Sequence, residues 1–432
     1  MASVRSPLLA TSLAVMALGA HAAQYSLEVF APPNNGAMLG LSAQGQTGVT
    51  NTSSGNWYLN ADRNLQNIGG VNSQYIGIDA AGRYINGAAT AADGTTVQAG
   101  RYDVTSGTWT ALGGLGAAGS GASMGFAISA SGTVQVGTAD ASVNAKTVSH
   151  AAVFQNGTVT DLTPGATSAS RALSVNADGS VVVGYVGGSA VNGTVWKWNA
   201  AAGSYNAQTI TGTNAYTNAA VSAIAVSVVS ANGQWAAGDS TNGMGKQFGA
   251  QFSKDQFLPA SFVNLATGKA TAIPYDHVID TSPGTTDIDA SMKATVAGVS
   301  NDGAVIGMFN IAVGYGSTGL VNADAFIYFA STGQSYTFDS YLDMLGLGLT
   351  PTQHVWSLYS MSANGDAISG AYFDSATNQT SAFIVHSNGF IPSAVPEPGQ
   401  WALLALGLPL LMVRRLRQPK GEAKAGQRMS EG

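Results

Sequence analysis

His150, His277, His354 and His386 are the side chains beyond residue 22 best suited to general acid–base work. None of them stands four residues from another, the spacing by which a helix offers two imidazoles to zinc. Each reads as a single strand or loop residue. Asp276, Asp280, Asp287 and Asp289 crowd one stretch, where closely spaced oxygens suit Ca²⁺. That stretch lacks the spaced Asp/Asn, central Gly and closing Glu of a calcium loop, so it reads as a solvated loop. Glycoside hydrolysis needs two carboxylates about 5–10 Å apart, a juxtaposition that spacing does not supply here, and Glu28 lies at the edge of the domain. No catalytic constellation, metal site or cofactor motif is therefore expected, and the chain is not read as an enzyme. Trp57, Trp109, Trp196, Trp198, Trp235 and Trp356 are flat rings able to stack on sugars. Alternation within strands assigns most of them to the core instead.

The elements that carry these residues repeat. Seven segments share a turn glycine behind small residues: Leu41-Ser-Ala-Gln-Gly45, Ile78-Asp-Ala-Ala-Gly82, Ile128-Ser-Ala-Ser-Gly132, Val175-Asn-Ala-Asp-Gly179, Val229-Ser-Ala-Asn-Gly233, Val299-Ser-Asn-Asp-Gly303 and Met361-Ser-Ala-Asn-Gly365. Their glycines are 37, 50, 47, 54, 70 and 62 residues apart, a period near 50 with insertions. Asp178-Gly179 and Asn232-Gly233 fit tight turns needing positive φ, and Ser180-Val-Val-Val-Gly184 supplies a β-branched strand. The second glycines, Gly87, Gly137, Gly184, Gly238, Gly307 and Gly370, mark places where a side chain would obstruct close backbones. A third strand follows in most copies: Ala151–Phe154, Thr194–Trp198, Phe248–Phe252, Ala325–Tyr328 and Ala382–Val385. A polar turn and an exit strand complete four strands per unit, the blade of a propeller.

Composition agrees. The chain holds 55 glycines, no cysteine and 9% charged residues. Between residues 23 and 396 there are 10 Lys and Arg against 20 acids, of which 19 are aspartate. Aspartate and glycine favour turns over helix, and the negative balance excludes nucleic acid as a partner. Without disulfides, stability must come from the core and from sheet hydrogen bonds.

Both ends read as address labels. Arg5 precedes the apolar stretch Leu8–Leu18, and Ala20 and Ala22 occupy the positions a signal peptidase reads, so cleavage is expected after Ala22. At the other end Val395-Pro396-Glu397-Pro398 precedes an apolar run to Val413 and a basic stop, Arg414, Arg415 and Arg417. Six leucines in that run favour insertion by roughly 3 kcal/mol in total, from which Pro409 and Gly407 subtract. The run is shorter than the ~20 residues that cross a bilayer comfortably, which suits transient insertion.

Residues 393–417 resemble the bacterial PEP-CTERM sorting domain, whose order is Val-Pro-Glu-Pro, an apolar helix and an arginine cluster. The resemblance implies recognition by an exosortase-type membrane protease, commonly in bacteria that make exopolysaccharide. Gln418 to Gly432 extend beyond the usual end of such domains. The repeats resemble extracellular HAF-type repeats, with Asp324-Ala325-Phe326-Ile327-Tyr328 a good match and the insert Phe338–Leu345 before Trp356 similar to terminal repeats of that family. This second resemblance implies a β-propeller surface protein and brings no catalytic motif.

The expected organisation is a signal peptide (1–22), an all-β propeller domain (23–392), a sorting segment (393–417) with a membrane helix over 399–413, and a polar cytoplasmic tail (418–432). Seven blades are expected, with Tyr25–Phe30 closing the last; six blades, a solenoid and a sandwich are the alternatives. The expected role is an exported, non-catalytic component of the cell surface or exopolysaccharide matrix that binds polysaccharide or other surface components. The alternative is a secreted polysaccharide hydrolase or lyase working from propeller-face loops.

Overall fold

Asp178-Gly179 does lie between two strands, Ser170–Val175 and Val181–Val186, and the same turn recurs seven times. In the computed structural model, residues 25–32, 35–187, 192–213, 220–222, 226–239, 260–273, 293–311 and 324–392 are described. Seven four-stranded antiparallel sheets follow one another along them. Blades 1 to 6 span residues 37–67, 77–111, 123–161, 170–209, 228–272 and 293–337. Blade 7 takes three strands from 353–386 and its outer strand from Ser26–Phe30, which pairs Ser26 with His386 and Phe30 with Ala382. The ring thus closes by pairing Ser26–Phe30 with Gln379–His386, as expected. A two-stranded hairpin, Thr211–Thr213 with Ala220–Ser222, is added after blade 4.

Each repeat turn is built by one side chain. Ser42, Asp79, Ser129, Asn176, Ser230, Ser300 and Ser362 each accept, through a side-chain oxygen, the N–H of the residue five positions on, at 2.9–3.1 Å. These residues are Thr47, Tyr84, Val134, Val181, Trp235, Val305 and Ala367. The same residues support the next blade: Gly82 rests on Thr47, Gly132 on Tyr84, Gly179 on Val134, Gly233 on Val181, Gly303 on Trp235, Gly365 on Val305 and, across the closure, Gly45 on Ala367. All seven glycines have φ between +66° and +83°, where other residues are strained. Local turn chemistry and blade-to-blade packing therefore meet at one position.

Between neighbouring blades lie the apolar clusters. Val134, Val136, Val153, Val182 and the fully buried Trp196 fill the seam of blades 3 and 4. The widest cluster joins blades 6 and 7, where the helix α1 (Phe338–Met344) inserts Phe338, Tyr341 and Leu342 against Phe329 and Phe383. Each such buried ring contributes roughly 1.5–3 kcal/mol. This turn of helix occupies the insert that separates the last two blades.

The third strands are Gly55–Leu59, Val97–Asp103, Lys146–Gln155, Asn192–Asn199, Ala260–Asn264, Asp324–Phe329 and Gln379–His386. In blade 5 the strand is Ala260–Asn264, and the expected Phe248–Phe252 lies outside the described residues. Three second glycines behave as the repeat implies, since a Cβ at Gly137, Gly184 or Gly370 would overlap the carbonyl oxygen of Met124, Arg171 or Ser357; at Gly87 it would meet the Trp109 ring instead, and at Gly307 it would make only ordinary contact with Leu358.

Candidate functional site

The innermost strand of a blade runs toward its repeat turn, and in five blades it carries a bulge at the same place. Leu39, Phe126, Leu173, Ala297 and Tyr359, each three residues before the first residue of the turn, have no partner in the ladder with the second strand. Trp356 is a second such residue in blade 7. Bulges re-aim side chains and are common beside binding sites. Here they vary the side chains near the axis without disturbing the repeat.

The axial channel itself encloses about 250 Å³ and is lined by residues of all seven blades. At the turn end Ala43 donates its N–H to Ala80 O, Ala80 to Ala130 O, Ala177 to Ala231 O and Asn301 to Ala363 O, at 2.8–3.0 Å. Asn232 bonds Asn301 through its N–H and its Nδ2 at 2.8 and 2.7 Å. The lining is serine, alanine, glycine and aliphatic residues, with no ionisable side chain among those described. Such a wall offers little to orient a ligand.

A groove of about 460 Å³ at the opposite end is chemically richer. Met124 and Phe126 come from the start of blade 3's inner strand; Thr138, Asp140 and Ser149 come from its second and third strands, which extend as a hairpin to Val143 and Lys146. Tyr75 meets Phe126 edge-on at 4.5 Å between centroids, and Arg171 of blade 4 holds its Cζ 5.9 Å from the Phe126 ring. Met124 is 38% exposed and Val97, on the wall toward blade 2, 37%. No carboxylate among the described residues lies within 4 Å of the Arg171 guanidinium. The groove therefore combines two aromatic rings, an exposed thioether and an unpaired cation with a rim of hydroxyls and one carboxylate.

The three histidines among the described residues lie apart. His150 is fully buried, with Nδ1 2.8 Å from Asp161 Oδ2 and Nε2 2.8 Å from Ala166 O, and it ties the loop between blades 3 and 4 to the third strand. His386 stands 3.1 Å from Glu28 at the closure, and His354 packs on Phe373. Among the tryptophans, Trp196 is core, Trp109 bonds Ile68 O at 2.7 Å, and Trp198 and Trp356 are 45% and 37% exposed. His277, Asp276, Asp280, Asp287 and Asp289 lie outside the described residues, as do Ala20, Ala22, Val395–Pro398, Arg414, Arg415 and Arg417. No helix among the described residues is long and apolar enough to cross a membrane. Sequence reasoning passed over Tyr75, Phe126 and Arg171, since an aromatic two residues before a repeat motif reads as ordinary strand. The bulge at Phe126 is visible only in the register.

No family model matches the chain, and no curated protein does. Several solved structures are similar to the chain. Hydrazine synthase of Kuenenia stuttgartiensis is 12% identical over 82% of this chain and 96% of that one, with a TM-score of 0.44. The β-propeller domain of the Trilobed protease from Pyrococcus furiosus is 9% identical over 81% and 95%, with a TM-score of 0.42. A gluconolactonase from Xanthomonas campestris is 13% identical over 66% and 86%, with a TM-score of 0.35.

Proposed function

We propose that this chain is an exported β-propeller protein of the bacterial cell surface or exopolysaccharide matrix, and that the groove beside blade 3 binds polysaccharide without cleaving it. The observation that carries this reading is the convergence of Tyr75, from the segment leading into blade 2, with Phe126 of blade 3 and Arg171 of blade 4 in one open groove. Sugars stack their apolar faces on aromatic rings, and a free guanidinium holds hydroxyls or the carboxylates of acidic polymers. A groove of this volume suits a short stretch of chain. Its lining contains one carboxylate, Asp140, where a glycosidase uses two.

Delivery rests on the two ends of the sequence. A signal peptidase removes residues 1–22, and the segment 393–417 holds the chain transiently in the inner membrane until an exosortase-type protease acts near Val395–Pro398.

Affinity electrophoresis in gels containing the producing cell's own matrix polymer tests the binding. Retardation of the wild-type chain, lost in Phe126→Ala and Arg171→Ala while polymer length is unchanged, supports it. New reducing ends or unsaturated uronate products would instead establish the hydrolase or lyase reading.

A further inference from the structure

Gln135 is 2% exposed, yet neither its Oε1 nor its Nε2 has a hydrogen-bond partner among the described residues. An amide left bare in a dry interior costs about 1–3 kcal/mol, so such a group calls for an explanation. It lies on the second strand of blade 3, on the side toward blade 2, and its Oε1 stands beside Gly125, which faces Ala99 of blade 2. Gln135 lines a cleft of about 150 Å³ between the two blades. The cleft opens on the turn face, because Gly132 and Thr133 of the repeat turn and Asn156-Gly157 of the outer turn border it.

The chemistry of the walls narrows the occupant. One ordered water needs about 10–15 Å³ of such space, so the cleft has room for about ten waters or for one substituted six-membered ring. Phe154 and Leu112 provide apolar wall, suited to the face of a pyranose. The Gln135 amide offers one acceptor and a donor pair, the set that adjacent hydroxyls require. Arg101 and Tyr84 line the cleft, and Arg101 shares the Tyr84 ring with Arg83, their Cζ atoms 4.7 and 4.6 Å from its centroid. Arg83 is paired with Asp103 at 3.4 Å, whereas no described carboxylate lies within 4 Å of Arg101.

We propose that the cleft between blades 2 and 3 is a second ligand site, holding a single polyhydroxylated carboxylate of hexuronate size, with its carboxylate at Arg101 and its hydroxyls on Gln135. The site is separate from the groove on the opposite face and does not depend on it.

Isothermal titration of the full chain, in mild detergent, with glucuronate, galacturonate and glucose tests the assignment. One saturable site per chain for a hexuronate is expected, with glucose at least tenfold weaker. Gln135→Met, which keeps length and removes the amide, and Arg101→Ala should each weaken that site tenfold or more. Absence of saturable hexuronate binding overturns the proposal. So does a Gln135→Met chain that melts higher than wild type and binds as before, since Gln135 is then an orphaned amide only. Undiminished hexuronate binding by Arg101→Ala removes the carboxylate assignment, and that variant, at a half-buried position, decides the question if Gln135→Met fails to fold.

Discussion

Glu28 and Arg63 meet at 2.6 Å, joining the outer strand of blade 7 to the loop before the last strand of blade 1. Arg63 also donates to Gly45 O at 3.1 Å and Gln46 O at 2.6 Å, so one guanidinium holds both the closing strand and the first repeat turn. Removing the arginine strips three acceptors, whereas neutralising the acid strips one charge. Arg63→Ala is expected to cost about 1–2 kcal/mol and Glu28→Gln less than about 1 kcal/mol. Urea unfolding of the two variants checks the order, and 1 M salt should narrow the gap between wild type and Glu28→Gln.

Gly179 separates backbone strain from packing. Its φ is +83°, and an added Cβ would meet Val134 Cγ2 at 2.4 Å, whereas Gly203, at φ +60°, has open space. Gly203→Ala should cost about 1 kcal/mol from strain alone. Gly179→Ala should cost about 2–4 kcal/mol, because the blade 3 contact is lost as well. Equal losses in thermal unfolding would show that the turn glycines serve conformation only.

Asp79 stands where five blades have serine and blade 4 has Asn176. Burial pushes its carboxyl up despite N–H groups donated by Tyr84, Arg83 and Gly82. A carboxyl raised by folding contributes stability below its unfolded pKa, and that contribution is lost as pH rises through the folded value. Asp79→Asn keeps the accepting oxygen and removes the titration. It should raise the melting temperature at pH 7 and leave it nearly unchanged at pH 3, as calorimetry at the two pH values would show.

Phe126 and Arg171 should contribute to groove binding in different ways. Phe126→Ala removes a stacking surface and should weaken polysaccharide binding by about 1 kcal/mol at any ionic strength. Arg171→Ala should weaken binding to acidic polymer most at low salt, with the difference shrinking as salt screens it. Titrations in low and high salt check both; identical salt dependence in the two variants would count against a charge role for Arg171.

The terminal labels lead to a mass prediction. Protein recovered from matrix or medium should begin near Ala23 and end near Val395–Pro398, and replacing Pro396-Glu397-Pro398 by alanines should leave it in the inner membrane. Intact masses of the separate fractions read this out. A full-length tail on extracellular protein would remove the proposed processing.

The seven turns, their positive-φ glycines and the closure by Tyr25–Phe30 were legible in the chain, because turn formation depends on a few adjacent residues. The third strands of blades 1 and 2 are not legible there, since Gly55–Leu59 and Val97–Asp103 lack the Ala-Phe pattern and are selected by pairing with their neighbours. The first turn residue, Ser42 or Asp79 or Asn176, was present in every motif; its meaning emerges only when its side chain is seen to cap an N–H five residues on.

By itself the sequence determined the all-β class and the seven repeat turns, for these reside in short contiguous patterns. Only the tertiary structure decided which residues share a site. Phe126 and Arg171 lie in two blades and Tyr75 in the segment leading into a third, while Arg101 and Gln135 lie in two, each set joined by packing between units that the repeat makes alike. A repeat specifies the scaffold through what is common to its copies, whereas a binding site depends on how they differ and on which differences the ring brings side by side.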